Sequence, residues 1–204
     1  MEQSFEKMLT GYQTFRKKYA SGDDSIMQKL AYHGQKPEIM IVSCCDSRVD
    51  PGLILQTEPG ELFIVRNVAN IVPPFEDNES HHGTSAALEF AINHLNVKHL
   101  VIMGHSQCGG IKAVLDKTTS EQTHFIGNWI SLIKDLPAAN DDVDAYAKLA
   151  LRQSYKNCLS FPWIKQRIDN HQLKIHLWFF DIKAGEIQAY LSEKEAFLPF
   201  DNIG

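Results

Sequence analysis

Long apolar runs are missing from this sequence: nothing in it approaches the roughly 18 consecutive apolar residues that a membrane span requires. No membrane partner is therefore expected. A polybasic segment is missing too. The net charge is -5 and the lysines are scattered along the chain, so no positive field is available to hold a phosphate backbone, and nucleic acid is excluded as a partner. Cysteine is scarce. Four in 204 residues are too few for a disulfide-stapled scaffold, which leaves metal binding or catalysis as the better use for a thiol. The opening stretch, Met1 to Ala20, carries no apolar run of signal-peptide length, so the expected location is the cytoplasm.

What remains is ordinary for a globular chain, with 44% hydrophobic and 22% charged residues. The patterning predicts one α/β domain. Phe5, Met8, Leu9, Tyr12 and Phe15 recur at helical spacing and predict an amphipathic N-terminal helix, which needs something to lie on. Three short apolar runs, Ile39–Val42, Leu62–Val65 and Leu100–Met103, are bounded by Gly, Pro or polar residues as buried parallel strands are. Ile175–Phe180 predicts a fourth. Gly83–Asn93, rich in Ala and Leu, reads as a crossover helix between the second and third strands. A turn-rich link, Asp181–Gly185, then leads into Glu186–Leu191, which predicts an antiparallel edge strand. From Thr123 to Asn170 the pattern is mainly helical, broken at Pro137 and Pro162, with Asn140-Asp141-Asp142 preceding a long helix. The expected fold is thus a mostly parallel sheet of about four strands plus an antiparallel edge, flanked by helices. Along it we expect an N-terminal helical arm (1–34), a core (35–122) and a helical segment with C-terminal strands (123–204).

Chemistry concentrates where strands end. The first strand runs into Ser43-Cys44-Cys45-Asp46-Ser47-Arg48, and the third into Gly104-His105-Ser106-Gln107-Cys108-Gly109-Gly110. In open α/β sheets sites are built at the carboxyl ends of strands, so the two clusters can face each other across one crevice. Two thiolates and an imidazole suit Zn2+, and three protein ligands leave a fourth position open for water. Each half alone is a weak signal, since a buried Cys is commonly just a small hydrophobe and Asp46 with Arg48 could be an ordinary ion pair.

Cys44-x-Asp46-Ser47-Arg48, followed by Arg66-Asn67-Val68-Ala69-Asn70 and then His105-x-x-Cys108-Gly109-Gly110, resembles the signature of β-class carbonic anhydrases. The likeness is detailed from Gln35 to Lys112. It implies one zinc held by Cys44, His105 and Cys108, reversible hydration of CO2 to bicarbonate by zinc-bound hydroxide, and an Asp46–Arg48 dyad that governs the fourth position. Cys45 invites a wrong assignment, but its neighbour on extended backbone faces the other way, and the family's ligand stands two residues before the Asp. In the plant-like branch that this chain resembles, the positions of Gln35, Phe63, Val68, Phe90 and Gly109 line a narrow CO2 pocket. Phe63, Val68 and Phe90 read equally well as core packing. The resemblance also implies a homodimer or homotetramer, with the N-terminal helix reaching a partner. Another branch of the family binds inhibitory bicarbonate with Trp, Arg and Tyr; here Ile41 and Phe180 stand in two of those places and only Arg66 matches. The same motifs would serve hydrolysis of CS2 or COS, or a zinc-binding regulatory module without turnover.

Overall fold

The computed structural model describes residues 2–78, 80–116, 124–138 and 140–200. The apolar runs become strands β1 (Ile39–Cys44), β2 (Leu62–Asn67), β3 (His99–His105) and β4 (Lys174–Asp181), followed by β5 (Glu186–Leu191) and β6 (Ala196–Pro199). They form one sheet in the order β2-β1-β3-β4-β5-β6. The pairs among the first four are parallel and the last two are antiparallel. The expected mostly parallel sheet with an antiparallel edge is what forms, and the edge holds two strands because Ala196–Pro199 folds back on β5.

Helices fill the connections: α1 (Glu2–Tyr19), α2 (Ile26–His33), α3 (Pro51–Leu55), α4 (Gly83–Glu89), α5 (Gly109–Leu115), α6 (Phe125–Ile130), α7 (Val143–Cys158) and α8 (Pro162–Asp169). After α4 the chain widens into a π-turn over Phe90–His94, where the Leu95 N–H reaches Phe90 O at 3.0 Å. Local chemistry sets the boundaries. Asp50 caps α3 with Pro51 behind it, Asp142 caps α7, and Pro162 opens α8 where a missing N–H costs nothing. The expected start of the helical region at Thr123, and the division between 122 and 123, lie outside the described residues.

Side chains alternate across the sheet as extended backbone requires. Met40, Val42 and Cys44 on β1, with Leu100 and Ile102 on β3, join the large core beneath α4 to α8, which contribute Leu88, Ile111, Ile130, Leu151 and Ile164. The opposite face carries a smaller cluster. There Ile41, Val101 and Met103 are packed by Ile54 and Leu55 of α3 and by Trp178. β1 and β3 are adjacent and parallel, and their register runs to Ser43 opposite Met103, so both chains leave the sheet at the same edge. That edge holds the site.

Candidate metal centre

Cys44 is the last residue of β1 and is buried, whereas Cys45 is exposed, as alternation predicts. His105 ends β3, and Cys108 stands one residue before α5. The Cys44 and Cys108 sulfurs are 3.9 Å apart, and the ligating atoms of Cys44, His105 and Cys108 all lie within 4.8 Å of one another. Two sulfurs each about 2.3 Å from a tetrahedral zinc would be about 3.8 Å apart, so the spacing already suits the ion.

The histidine is prepared for the same task. His105 Nδ1 lies 2.9 Å from the Ser106 carbonyl oxygen, which can only accept, so Nδ1 carries the proton. Nε2 is then left with a lone pair, buried, and without a hydrogen-bond partner among the described residues. An orphaned acceptor at nearly zero exposure is costly unless something electropositive meets it. The thiols give the same answer. A hydrogen bond from Cys108 draws the Cys44 thiol well below its ordinary value, against the opposing effect of burial. Cys108 is pushed up, because its proton is held in the hydrogen bond to Cys44 and because burial and the neighbouring thiolate both oppose a second charge there. Unaided, the pair keeps one proton between two sulfurs; a divalent cation lets both ionise. The donor set therefore fits zinc.

Asp46 and Arg48 leave β1 in a tight turn. The Arg48 guanidinium grips the carboxylate with two parallel bonds, Nε to Oδ1 at 2.9 Å and Nη2 to Oδ2 at 2.7 Å, while the Arg48 N–H donates to Oδ1 at 3.0 Å. Those Arg48 bonds hold the Asp46 carboxyl well below the usual carboxylate range. Oδ2 is also 3.9 Å from His105 Nε2, which puts the dyad beside the free lone pair. Arg66 of β2 locks the turn from behind: Nε donates to Cys44 O at 2.9 Å, Nη2 to Asp46 O at 2.7 Å, and Nη1 meets the Asp50 carboxylate at 3.0 Å.

The sequence candidates thus fall into two groups. Cys44, Asp46, Arg48, His105 and Cys108 come together. Val68 lies near them, on a loop where Ala69 and Asn70 are left-handed, and its side chain packs so closely on α5 that a Cβ at Gly110 would come within 2.7 Å of it. Gly109 is exposed and faces open space. Phe63 and Phe90 are set apart as a pair, ring centroids 5.9 Å from each other, with Phe90 well exposed. Gln35 lies exposed on the link from α2 to β1, and its side chain makes no hydrogen bond among the described residues. Sequence reasoning does not single out Gln107 or Asp144. Yet the Asp144 carboxylate accepts the Gln107 N–H at 2.7 Å, and the Gln107 carbonyl accepts a bond from Arg48 Nη2 at 3.3 Å.

Comparison with known proteins agrees with this geometry. Residues 39–187 match the family model described as carbonic anhydrase. A carbonic anhydrase of Helicobacter pylori is 35% identical over 181 residues, 82% of each chain. Among solved structures, the β-carbonic anhydrase CcaA superposes with a TM-score of 0.84 at 31% identity, covering 96% of this chain and 99% of that one. A tetrameric β-carbonic anhydrase of Sordaria macrospora gives a TM-score of 0.72 at 31% identity, covering 92% and 94%. With a thiolate–imidazole–thiolate group that fits zinc at the end of a parallel sheet, this chain belongs to the β-class carbonic anhydrases, the zinc enzymes that hydrate CO2.

Proposed function

We propose that Cys44, His105 and Cys108 are the ligands of the catalytic zinc and that Asp46, clamped by Arg48, orients the water that adds to CO2. The observation that carries this is the convergence of two buried sulfurs and the unpartnered His105 Nε2, with Asp46 Oδ2 3.9 Å from that nitrogen. Bound zinc supplies a Lewis acid that makes water a competent nucleophile near neutral pH. The protein's own part is orientation. Asp46 can accept a hydrogen bond from the nucleophile and aim its lone pair at the carbon of CO2. Held so far below the usual carboxylate range, Asp46 is too weak a base to keep the proton that hydration releases. Its role is therefore to direct, and Arg48 keeps it from turning onto the metal. Two thiolate ligands donate more charge than neutral imidazoles, so activity should rise on the alkaline side. An intact dyad argues against a regulatory module without turnover, and nothing in the geometry favours CS2 or COS over CO2.

The plant-like, non-allosteric reading has support of its own. Arg66, the one matching member of the bicarbonate-binding trio, already spends its donors on Cys44 O, Asp46 O and Asp50. Ile41 is buried in the smaller core and Phe180 in the larger, and neither offers a hydrogen bond. Bicarbonate then acts only as product. Gln35, Phe63 and Phe90 leave exposed surface that a second copy would complete, which fits the tetrameric Sordaria relatives and a dimer as the smallest working unit. The test is kinetic and spectroscopic. Absorption-edge spectroscopy should count two sulfurs and one nitrogen on zinc, Cys45→Ser should keep the metal, and Asp46→Asn and Arg48→Ala should keep it while losing about 10- to 1000-fold in CO2 hydration. Product inhibition by bicarbonate should be hyperbolic. Zinc lost from the Cys45 variant, near-wild-type rates in both dyad variants, or sigmoidal inhibition would each sink its part of this reading.

A further inference from the structure

Gln107 stands between two metal ligands, His105 and Cys108, and its backbone is left-handed with φ of 54°. A residue with a long side chain enters that region only where its surroundings hold it. Here the hold comes from a different element. Asp144, in the first turn of α7, accepts the Gln107 N–H at 2.7 Å and the Gln107 Nε2–H at 3.3 Å through the same oxygen. Asp144 is itself fixed, because Asp142 caps the helix and accepts the Asp144 N–H at 2.8 Å. With the peptide turned this way, the Gln107 carbonyl faces Arg48 and takes a bond from Nη2 at 3.3 Å. That nitrogen is the one that binds Asp46 Oδ2 at 2.7 Å.

Arg48 needs such an anchor. Its side chain is 49% exposed, so it has ample rotamer freedom to lose, and among the described residues Asp46 and the Gln107 carbonyl are its only hydrogen-bond partners. A clamp made only of two flexible partners would wander together. We propose that Asp144 is a positioning residue for the dyad: it fixes the left-handed Gln107 peptide, whose carbonyl seats Arg48, which seats Asp46. The proposal rests on the dyad reading given above. It also ties α7, far along the chain, to the reacting centre through one side chain.

The test is a double-mutant cycle on the zinc-loaded enzyme, with an exchange measurement beside it. Asp144→Ala should lower kcat for CO2 hydration about 5- to 30-fold with KM within twofold and zinc still one per chain. Asp144→Asn should recover most of the rate, since its amide oxygen can still accept the Gln107 N–H. In an Arg48→Ala background, Asp144→Ala should cost less than twofold, because the group through which it acts is gone. Amide hydrogen exchange at Gln107 should speed up at least tenfold in Asp144→Ala and stay slow in Asp144→Asn. Additive losses, or a full rate in Asp144→Ala beside a slow Arg48→Ala, overturn this proposal alone. A wild-type rate in Arg48→Ala overturns the dyad reading and this proposal with it, and the exchange data then show whether Asp144 still holds the Gln107 peptide.

Discussion

Three of the four cysteines are buried, and their surroundings give them different chemistry. Cys44 and Cys108 face each other at the group that fits a metal ion, whereas Cys158 is fully buried in the core and burial pushes its thiol up to about 12. The direction has a consequence for stability. Below its ordinary value of 9.0 neither the folded nor the unfolded chain has lost this proton, so the thiol adds no pH dependence. Between 9.0 and about 12 the unfolded chain ionises while the folded one does not, and stability falls as pH rises, by at most about 1.4 kcal/mol per pH unit. Cys158→Ala removes that proton from the balance. The variant should start about 1 kcal/mol less stable at pH 8, through lost packing, and then decline less steeply than the wild type up to pH 11. Urea unfolding across that range reads the difference directly, and parallel curves would mean that the Cys158 thiol titrates like an exposed one.

Elements differ in how plainly the sequence announces them. β1 to β4 are legible because each is a short apolar run closed by Gly, Pro or polar residues, and the candidate metal group is legible because Cys44, His105 and Cys108 stand just beyond two of those runs. β6 is not. Ala196–Pro199 spans four residues, ends in proline and pairs on one side only, so it reads as a tail until β5 is there to receive it. The dyad's further support is hidden for a different reason: Asp144 meets Gln107 across 37 residues, and only the packing of α7 against β3 and α5 brings them together. Asp142 was visible as a helix start, and its energetic role follows from that. Its carboxylate accepts the N–H groups of Asp144 and Ala145 at 2.8 and 3.1 Å, two donors that the helix cannot otherwise satisfy. Asp142→Ala should cost about 1 kcal/mol and lower the melting temperature by roughly 2–4 °C, measured calorimetrically. No shift in melting would mean that water caps α7 equally well.

At the scale of the whole molecule the odd part is α1. Every side chain from Gln3 to Lys18 is exposed, including the apolar stripe of Phe5, Met8, Leu9, Tyr12 and Phe15. Among the described residues the polar side-chain contacts of the helix to the rest of its own chain gather at Glu58, which meets Lys18 at 3.2 Å and hydrogen-bonds Tyr19, surface contacts worth little. An 18-residue helix with glycine at its centre is marginal in water on its own, and five apolar side chains facing solvent add nothing to hold it. Some other surface must bury that stripe. The sheet face opposite the large core offers a match, since Ile64 on β2 is exposed there beside the small cluster of Ile41, Val101 and Met103. Because α1 exposes its apolar stripe and Ile64 is exposed on this sheet face, two copies can each lay a helix on the other, a closed and self-complementary exchange. The same exchange would bring a partner close to Gln35, Phe63 and Phe90, so assembly and activity should fail together. In sedimentation velocity at micromolar concentration the wild type should run as a dimer or larger. Leu9→Lys with Tyr12→Lys should shift it toward monomer, keep the zinc, and lower CO2 hydration several-fold. A wild type that sediments as a monomer, or a double variant that keeps both its assembly and its rate, would show that α1 is not the arm that joins two copies.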